Sequence, residues 1–176
     1  MPLAGGESDK VGNRYEALWT VDRLLDVLDG EYDSIRLEPP APHDRGFEFL
    51  LRRGTVLEFH QVKRQHASRG HWSLGDLAQS GVLENFWRKL LDSNARCLFV
   101  STQDALELKE LADRARSAAS FGEFCSCFLT SNSLKTNLGQ LREYWHGQPE
   151  EAIYERLRRI VVESVSERYL RKSIEN

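Results

Sequence analysis

Residues 46–65 read GFEFLLRRGTVLEFHQVKRQ, and the architecture of the whole chain turns on this stretch. Two runs rich in strand-forming residues, Phe47 to Arg52 and Val56 to Arg64, flank the turn pair Arg53-Gly54, so they are expected to pair as an antiparallel hairpin. Alternate side chains of an extended strand share a face, which sends Phe59, Gln61 and Lys63 one way and Glu58, His60 and Val62 the other. Folding at Arg53-Gly54 sets Glu48 level with the Gln61 end of the partner strand, within the reach of cross-strand neighbours. A carboxylate, an amide and an ammonium are thereby expected to converge.

Before the hairpin, Tyr15, Leu18, Trp19, Val21, Leu24, Leu25, Val27 and Leu28 recur at helical spacing and predict a first helix over about residues 11–29, ending at Gly30. Residues 1–10 are small and polar and are expected to be a flexible N-terminus. Tyr32 to Glu38 suits a strand stopped by Pro39-Pro40. Downstream, Ser73 with Asp76 three residues on is an N-cap signature, and Leu74, Leu77, Val82, Leu83, Phe86, Trp87, Leu90 and Leu91 continue a helical pattern that Gly81 divides. Arg96 to Ser101 (RCLFVS) reads as a short buried strand and Asp104 to Ala118 as a helix. A Phe-rich helix or turn (Phe121, Phe124, Phe128), a polar helix near 132–145, a helix opened by Pro149, the strand-like RRIVVESV and a helix capped by Ser166 complete the chain. The order through the core is α-β-β-β-α-β-α in one α/β domain spanning 11–176. The ending at SIEN suggests the N-terminal domain of a longer protein.

Composition limits the function. The chain has 176 residues, 40% of them apolar, enough to close a core in one ordinary domain. A net charge of −3 excludes a globally basic surface, so any nucleic-acid contact must be local. The segment from Arg52 to His71 supplies such a patch: Arg52, Arg53, Lys63, Arg64 and Arg69 face one acid, Glu58, with His60, His66 and His71 interspersed. Arg64, Arg69 and His66 are the candidates for phosphate contact. Cys97, Cys125 and Cys127 form no C-x-x-C pair, which argues against a zinc cage or disulfide framework and for a reducing, cytoplasmic setting. No membrane-length apolar run, zinc-protease spacing or phosphate-cradling glycine motif occurs. His60 reads as packed or surface-exposed, Trp19 and Trp87 as core, and Cys125-Ser-Cys127 as part of a buried aromatic region.

The convergent set suits phosphodiester hydrolysis. A hard cation such as Mg²⁺ takes one or two carboxylates plus carbonyls and waters, polarises phosphate and activates water, while a lysine beside it orients that water. Glu48 would be the main ligand, Gln61 would ligate through its neutral amide oxygen, and the main-chain carbonyl of Val62 could add a third oxygen.

An acid, twelve intervening residues and then Gln61-Val62-Lys63, on adjacent strands after a helix beginning G-N-R-Y-E, resembles the PD-(D/E)xK (restriction-endonuclease-like) nuclease superfamily in its Q-x-K variant. It looks close to the Mrr-like group and to the double-stranded-DNA endonuclease effector domains of CBASS and STAND antiphage systems. HWSLGDLAQSGVLENFW, RCLFVS and LRRIVVESVSERYL extend the likeness over about residues 8–172. The resemblance implies a central mixed β-sheet flanked by helices (α-β-β-β-α-β) with C-terminal helical additions. It also implies Mg²⁺- or Mn²⁺-dependent cleavage of double-stranded DNA in prokaryotic defence. Active homo-oligomers and a fused sensor or NTPase domain go with it. By the same likeness Glu48, Gln61 and Lys63 are the catalytic motif, and Glu16 matches a helix glutamate that completes the metal site. Asp44 is a rival for the motif acid, and Glu38 is a further candidate ligand. Glu48 in place of Asp and Gln61 in place of an acid leave a second reading open, a non-cleaving DNA-binding or assembly scaffold.

Overall fold

The computed structural model of the chain describes residues 5–37, 46–64 and 70–175, with side chains from residue 13 onward. Its frame is a five-stranded mixed sheet in the order β1-β2-β3-β4-β5. The strands are β1 (Ser34–Leu37), β2 (Phe49–Arg53), β3 (Val56–Lys63), β4 (Ala95–Ser101) and β5 (Ile160–Ser164). The first three are antiparallel neighbours, while β3, β4 and β5 run parallel. The hairpin expected at Arg53-Gly54 forms, with Arg53 opposite Val56 and Gly54 at φ +58°, a backbone angle that glycine adopts without steric cost.

Two apolar layers flank the sheet. On one face Phe59, Cys97, Phe99, Ile160 and Val162 meet α2 (Leu74–Gln79), α3 (Val82–Lys89), α4 (Leu106–Ser117), α6 (Asn132–Tyr144) and α7 (Glu150–Leu157). On the other, Phe49, Leu51, Val62, Leu98 and Val100 pack under Tyr15 and Trp19 of α1 (Gly5–Leu28) and Leu170 of α8 (Glu167–Glu175). Covered on both sides, β4 buries six of its seven residues, the near-continuous burial of a central parallel strand. Each large side chain so buried contributes about 1.5–3 kcal/mol, which makes β4 the axis of the domain.

Local signals are met where they were strongest. Ser73 and Asp76 form a reciprocal capping box at α2, and Gly81, at φ +79°, separates α2 from α3. The first helix starts at Gly5, earlier than its apolar periodicity predicts, and the first strand is only four residues long. RRIVVESV contributes β5, which pairs with β4, so the C-terminal portion completes the sheet as well as adding helices. The Phe-rich stretch is a short helix, α5 (Phe121–Glu123), running into a π-helical turn over Phe124–Phe128, closed by the Leu129 N–H donating to the Phe124 carbonyl at 2.9 Å. That wide turn buries Phe124 but leaves Cys127 exposed and Cys125 half-buried, correcting the expectation that both cysteines sit inside. Among the described residues no helix is long and apolar enough to cross a membrane.

Candidate functional site

The carboxyl ends of β3, β4 and β5 and the start of β2 share one rim of the sheet, the position where open α/β sheets commonly bind ligands. The chain enters this rim at Gly46, whose φ of +96° favours glycine; a Cβ there would lie 2.1 Å from Asn85 Nδ2 of α3, so the asparagine side chain would have to move. Two residues later the ladder slips. Phe49 is registered opposite His60, yet the Glu48 N–H also addresses His60, donating to its carbonyl at 3.0 Å. Two residues facing one is the arrangement of a β-bulge. The slip explains why Phe47 packs with Phe59 and Phe86 in one layer, 5.3 and 6.1 Å between ring centres, while Phe49 lies in the other.

The bulge re-aims Glu48. Instead of standing beside Gln61 on the sheet face, its carboxylate reaches one residue further along β3, where β2 no longer covers the ladder. Glu48 Oε2 accepts from the Val62 N–H at 2.8 Å, and Oε1 from Lys63 Nζ at 3.2 Å. In an extended strand the N–H and C=O of one residue point to the same side, so the Val62 carbonyl also faces this gap. Gln61 is 1% exposed, and among the described residues its buried Oε1 has no hydrogen-bond partner. Such an orphaned acceptor costs about 1–3 kcal/mol unless something else satisfies it.

Electrostatics tie Glu16 on α1 to the same place. Burial pushes the Glu48 carboxyl above its ordinary pKa, the Lys63 charge and the Val62 N–H pull it back only in part, and Glu16 adds to the rise. Glu16 is likewise raised by burial and partly restored by Lys63. The oxygens that would hold a divalent cation are those of Glu48, each now accepting one hydrogen bond, the Val62 carbonyl and the Gln61 Oε1, with Glu16 coupled to Glu48 by charge. This donor set fits a hard cation that keeps several of its waters. Among the described residues no group of three or more His, Cys, Asp or Glu gathers, so the set carries little negative charge. Glu38, Asp44, His66 and Arg69 lie outside the described residues.

The basic segment Arg52 to His71 is not one patch. Arg52 and Arg53 sit at the hairpin turn, while Lys63 and Arg64 end β3, roughly 23 Å away at about 3.3 Å per residue. Arg64 instead meets a cluster that the segment's sequence does not reveal. Glu167 of α8 contacts Arg14 at 3.1 Å, Arg171 at 2.8 Å and Arg64 at 3.9 Å.

Away from the rim, β3 carries a second polar group. His60, fully buried, stacks on Phe49 with 4.4 Å between centres and accepts at Nδ1 from Trp19 Nε1 at 3.1 Å. That bond assigns the ring proton to Nε2, which donates to Glu58 Oε1 at 3.0 Å, and Tyr32 Oη donates to the same oxygen at 3.2 Å. Burial pushes the His60 pKa down against the pull of Glu58. Burial would raise Glu58, but the bonds from His60 and Tyr32 and the Arg96 charge hold it below the usual range. Beside this group Tyr32, Arg53, Val56, Glu58 and Arg96 line an open cavity of 270 Å³. Its composition had no spacing signal in the sequence, because Tyr32 and Arg96 arrive from distant segments.

Comparison of the chain with protein-family models, curated proteins and solved structures found no match.

Proposed function

We propose that this domain is a Mg²⁺- or Mn²⁺-dependent endonuclease acting on double-stranded DNA, built on a restriction-endonuclease-like core. The observation that carries the reading is the meeting of Glu48 with Lys63 and the Val62 N–H, on the strand where the neighbouring Gln61 buries an oxygen that has no partner among the described residues. Glu48, Gln61 and the Val62 carbonyl would hold the cation. When bound, Mg²⁺ or Mn²⁺ supplies polarisation of the scissile phosphate and a lower pKa for the attacking water. Lys63, one-third exposed, turns its ammonium to the phosphate side, where it orients the water and offsets charge developing on the phosphoryl oxygens. The Val62 N–H fixes one carboxylate oxygen of Glu48, so the other is presented in a set direction. Arg64 supplies backbone contact. A cytoplasmic role as a prokaryotic antiphage effector, working as a homo-oligomer with a fused sensor or NTPase domain, fits this chemistry.

Incubating supercoiled plasmid with the protein in Mg²⁺ or Mn²⁺ tests the proposal. Nicked or linear product should form, and should vanish in Lys63→Ala and in Glu48→Ala; cutting that persists in both variants rejects the assignment. One observation favours a second reading, a non-cleaving DNA-binding or assembly scaffold: both Glu48 oxygens are already bonded within the protein. Calorimetry with Mn²⁺ separates the two. A nuclease shows a divalent site that Glu48→Ala removes, and a scaffold shows none.

A further inference from the structure

We infer that Arg14, Arg64 and Arg171, gathered on Glu167, form a phosphate-binding platform that seats the nucleic-acid backbone next to the Lys63 site; the inference rests on the nucleic-acid reading above. Three separate elements deliver these guanidiniums to one place. Arg14 comes from α1, Arg64 from the residue that follows β3, and Arg171 from the second turn of α8. Tyr15 locks the junction, donating from its buried hydroxyl to the Val165 carbonyl at 2.8 Å and so tying α1 to the link between β5 and α8.

Charge and valence indicate what the platform takes. Three guanidiniums against one carboxylate leave two positive charges uncompensated within the cluster. Glu167 uses few of the five donors each guanidinium carries, and the Arg64 approach, at 3.9 Å, is too long to be a hydrogen bond. The arginine side chains remain 54%, 36% and 48% exposed, so their forks are open to solvent. Planar forks of fixed geometry match phosphate oxygens two at a time. Glu167 draws the three cations together by charge and occupies part of the Arg14 and Arg171 forks, so an incoming phosphate competes with its carboxylate for them. The platform adjoins the catalytic rim, since Arg64 follows Lys63 directly and Arg14 precedes Glu16 by two residues on α1. A backbone lying across both would place a phosphodiester at Lys63 while its neighbours rest on the arginines.

Binding of a fluorescein-labelled DNA duplex, followed by anisotropy over a series of salt concentrations in metal-free buffer, tests this without any need for cleavage. Removing one arginine that neutralises a phosphate should lower the slope of log affinity on log salt by about 0.9. An Arg14→Gln/Arg171→Gln double variant should therefore bind more weakly, with a slope shallower by nearly two. Glu167→Gln frees the guanidiniums and should bind more tightly with a steeper slope. An unchanged slope in a folded double variant overturns the platform, and so does weaker binding by Glu167→Gln, which would mark the cluster as structural alone. Absence of duplex binding by the unaltered protein also overturns it. The catalytic reading fails separately: a protein that shows both expected slopes yet never cuts plasmid keeps the platform and loses the nuclease.

Discussion

Strand β3 carries two polar groups that are nearly adjacent in sequence and opposite in character. Glu58 and His60 sit in a closed circuit with Trp19 and Tyr32, in which both nitrogens of the fully buried His60 have partners. Gln61 and Lys63, with Glu48 across the bulge, make an open one: Gln61 Oε1 is buried and unbonded among the described residues, and Lys63 reaches into solvent. A closed circuit stabilises the fold and offers no valence to a ligand. An open one costs stability and keeps an acceptor in reserve. Histidine and glutamate within hydrogen-bond distance would ordinarily draw the eye as a catalytic pair, yet on this strand it is the less conspicuous glutamine that has valence to offer the proposed site.

The contrast between the circuits meets its severest trial at Lys63 and Glu48. Alanine at either should lower divalent-dependent plasmid cleavage by at least about a hundredfold, the scale of removing one electrostatic interaction from the transition state, while circular dichroism stays that of the folded protein. At His60 the outcome reverses. His60→Ala empties a packed site and strands the Trp19 N–H and the Glu58 carboxylate, so urea denaturation should show a decrease of about 3 kcal/mol with divalent binding retained. If cleavage falls more than stability does, the circuit is not closed in function.

The fold was largely legible because its signals are local. Alternation in GFEFLLRRGTVLEFHQVKRQ predicts the hairpin, Ser73 with Asp76 predicts the cap, and Gly81 predicts the break between α2 and α3. The site was legible in part: Lys63 and Glu48 do meet, as pairing across the hairpin implies. What alternation cannot carry is its own interruption. The bulge follows a Gly46 that lies against Asn85, a residue of α3 distant in sequence, and the reach of Glu48 to Val62 had no sequence signal. Long-range partners explain the other omissions as well: Trp19 for His60 is forty-one residues away, and Glu167 collects arginines from both ends of the chain.

Smaller effects bear on the same pair of circuits. Gln61→Leu removes an acceptor that lacks a partner among the described residues, so stability should change by less than about 1 kcal/mol, or rise, even as calorimetry records weaker Mn²⁺ binding. A substantial drop in stability would mean that Gln61 has a partner in solution and that this circuit too is closed. The smallest signal lies in pH. His60 and Glu58 have lowered pKa values, so their stabilising contribution is complete above their ordinary values and is lost as pH falls through the lowered ones. Glu48 and Glu16 have raised values, so theirs is complete below the ordinary carboxylate range and is lost as pH rises through the raised values. His60 should add to the urea midpoints a component that climbs with pH up to about 6.5, the ordinary histidine value, against the fall from the raised carboxylates, and His60→Ala should remove that component. A variant whose midpoints climb as steeply as before would place the histidine's titration outside the circuit.

The bulge at Glu48 and Phe49 puts this hairpin one codon from a straight one that lacks the candidate site. Deleting Glu48 would bring Phe47 opposite Gln61 on a straight ladder, still facing the layer it packs into now, with both hydrophobic layers in phase and no carboxylate beside Lys63. On the nuclease reading proposed above, lineages that carry such a strand could shed the chemistry in a single event and keep the scaffold, or regain it by one insertion, so chemistry and architecture would be free to evolve on separate clocks.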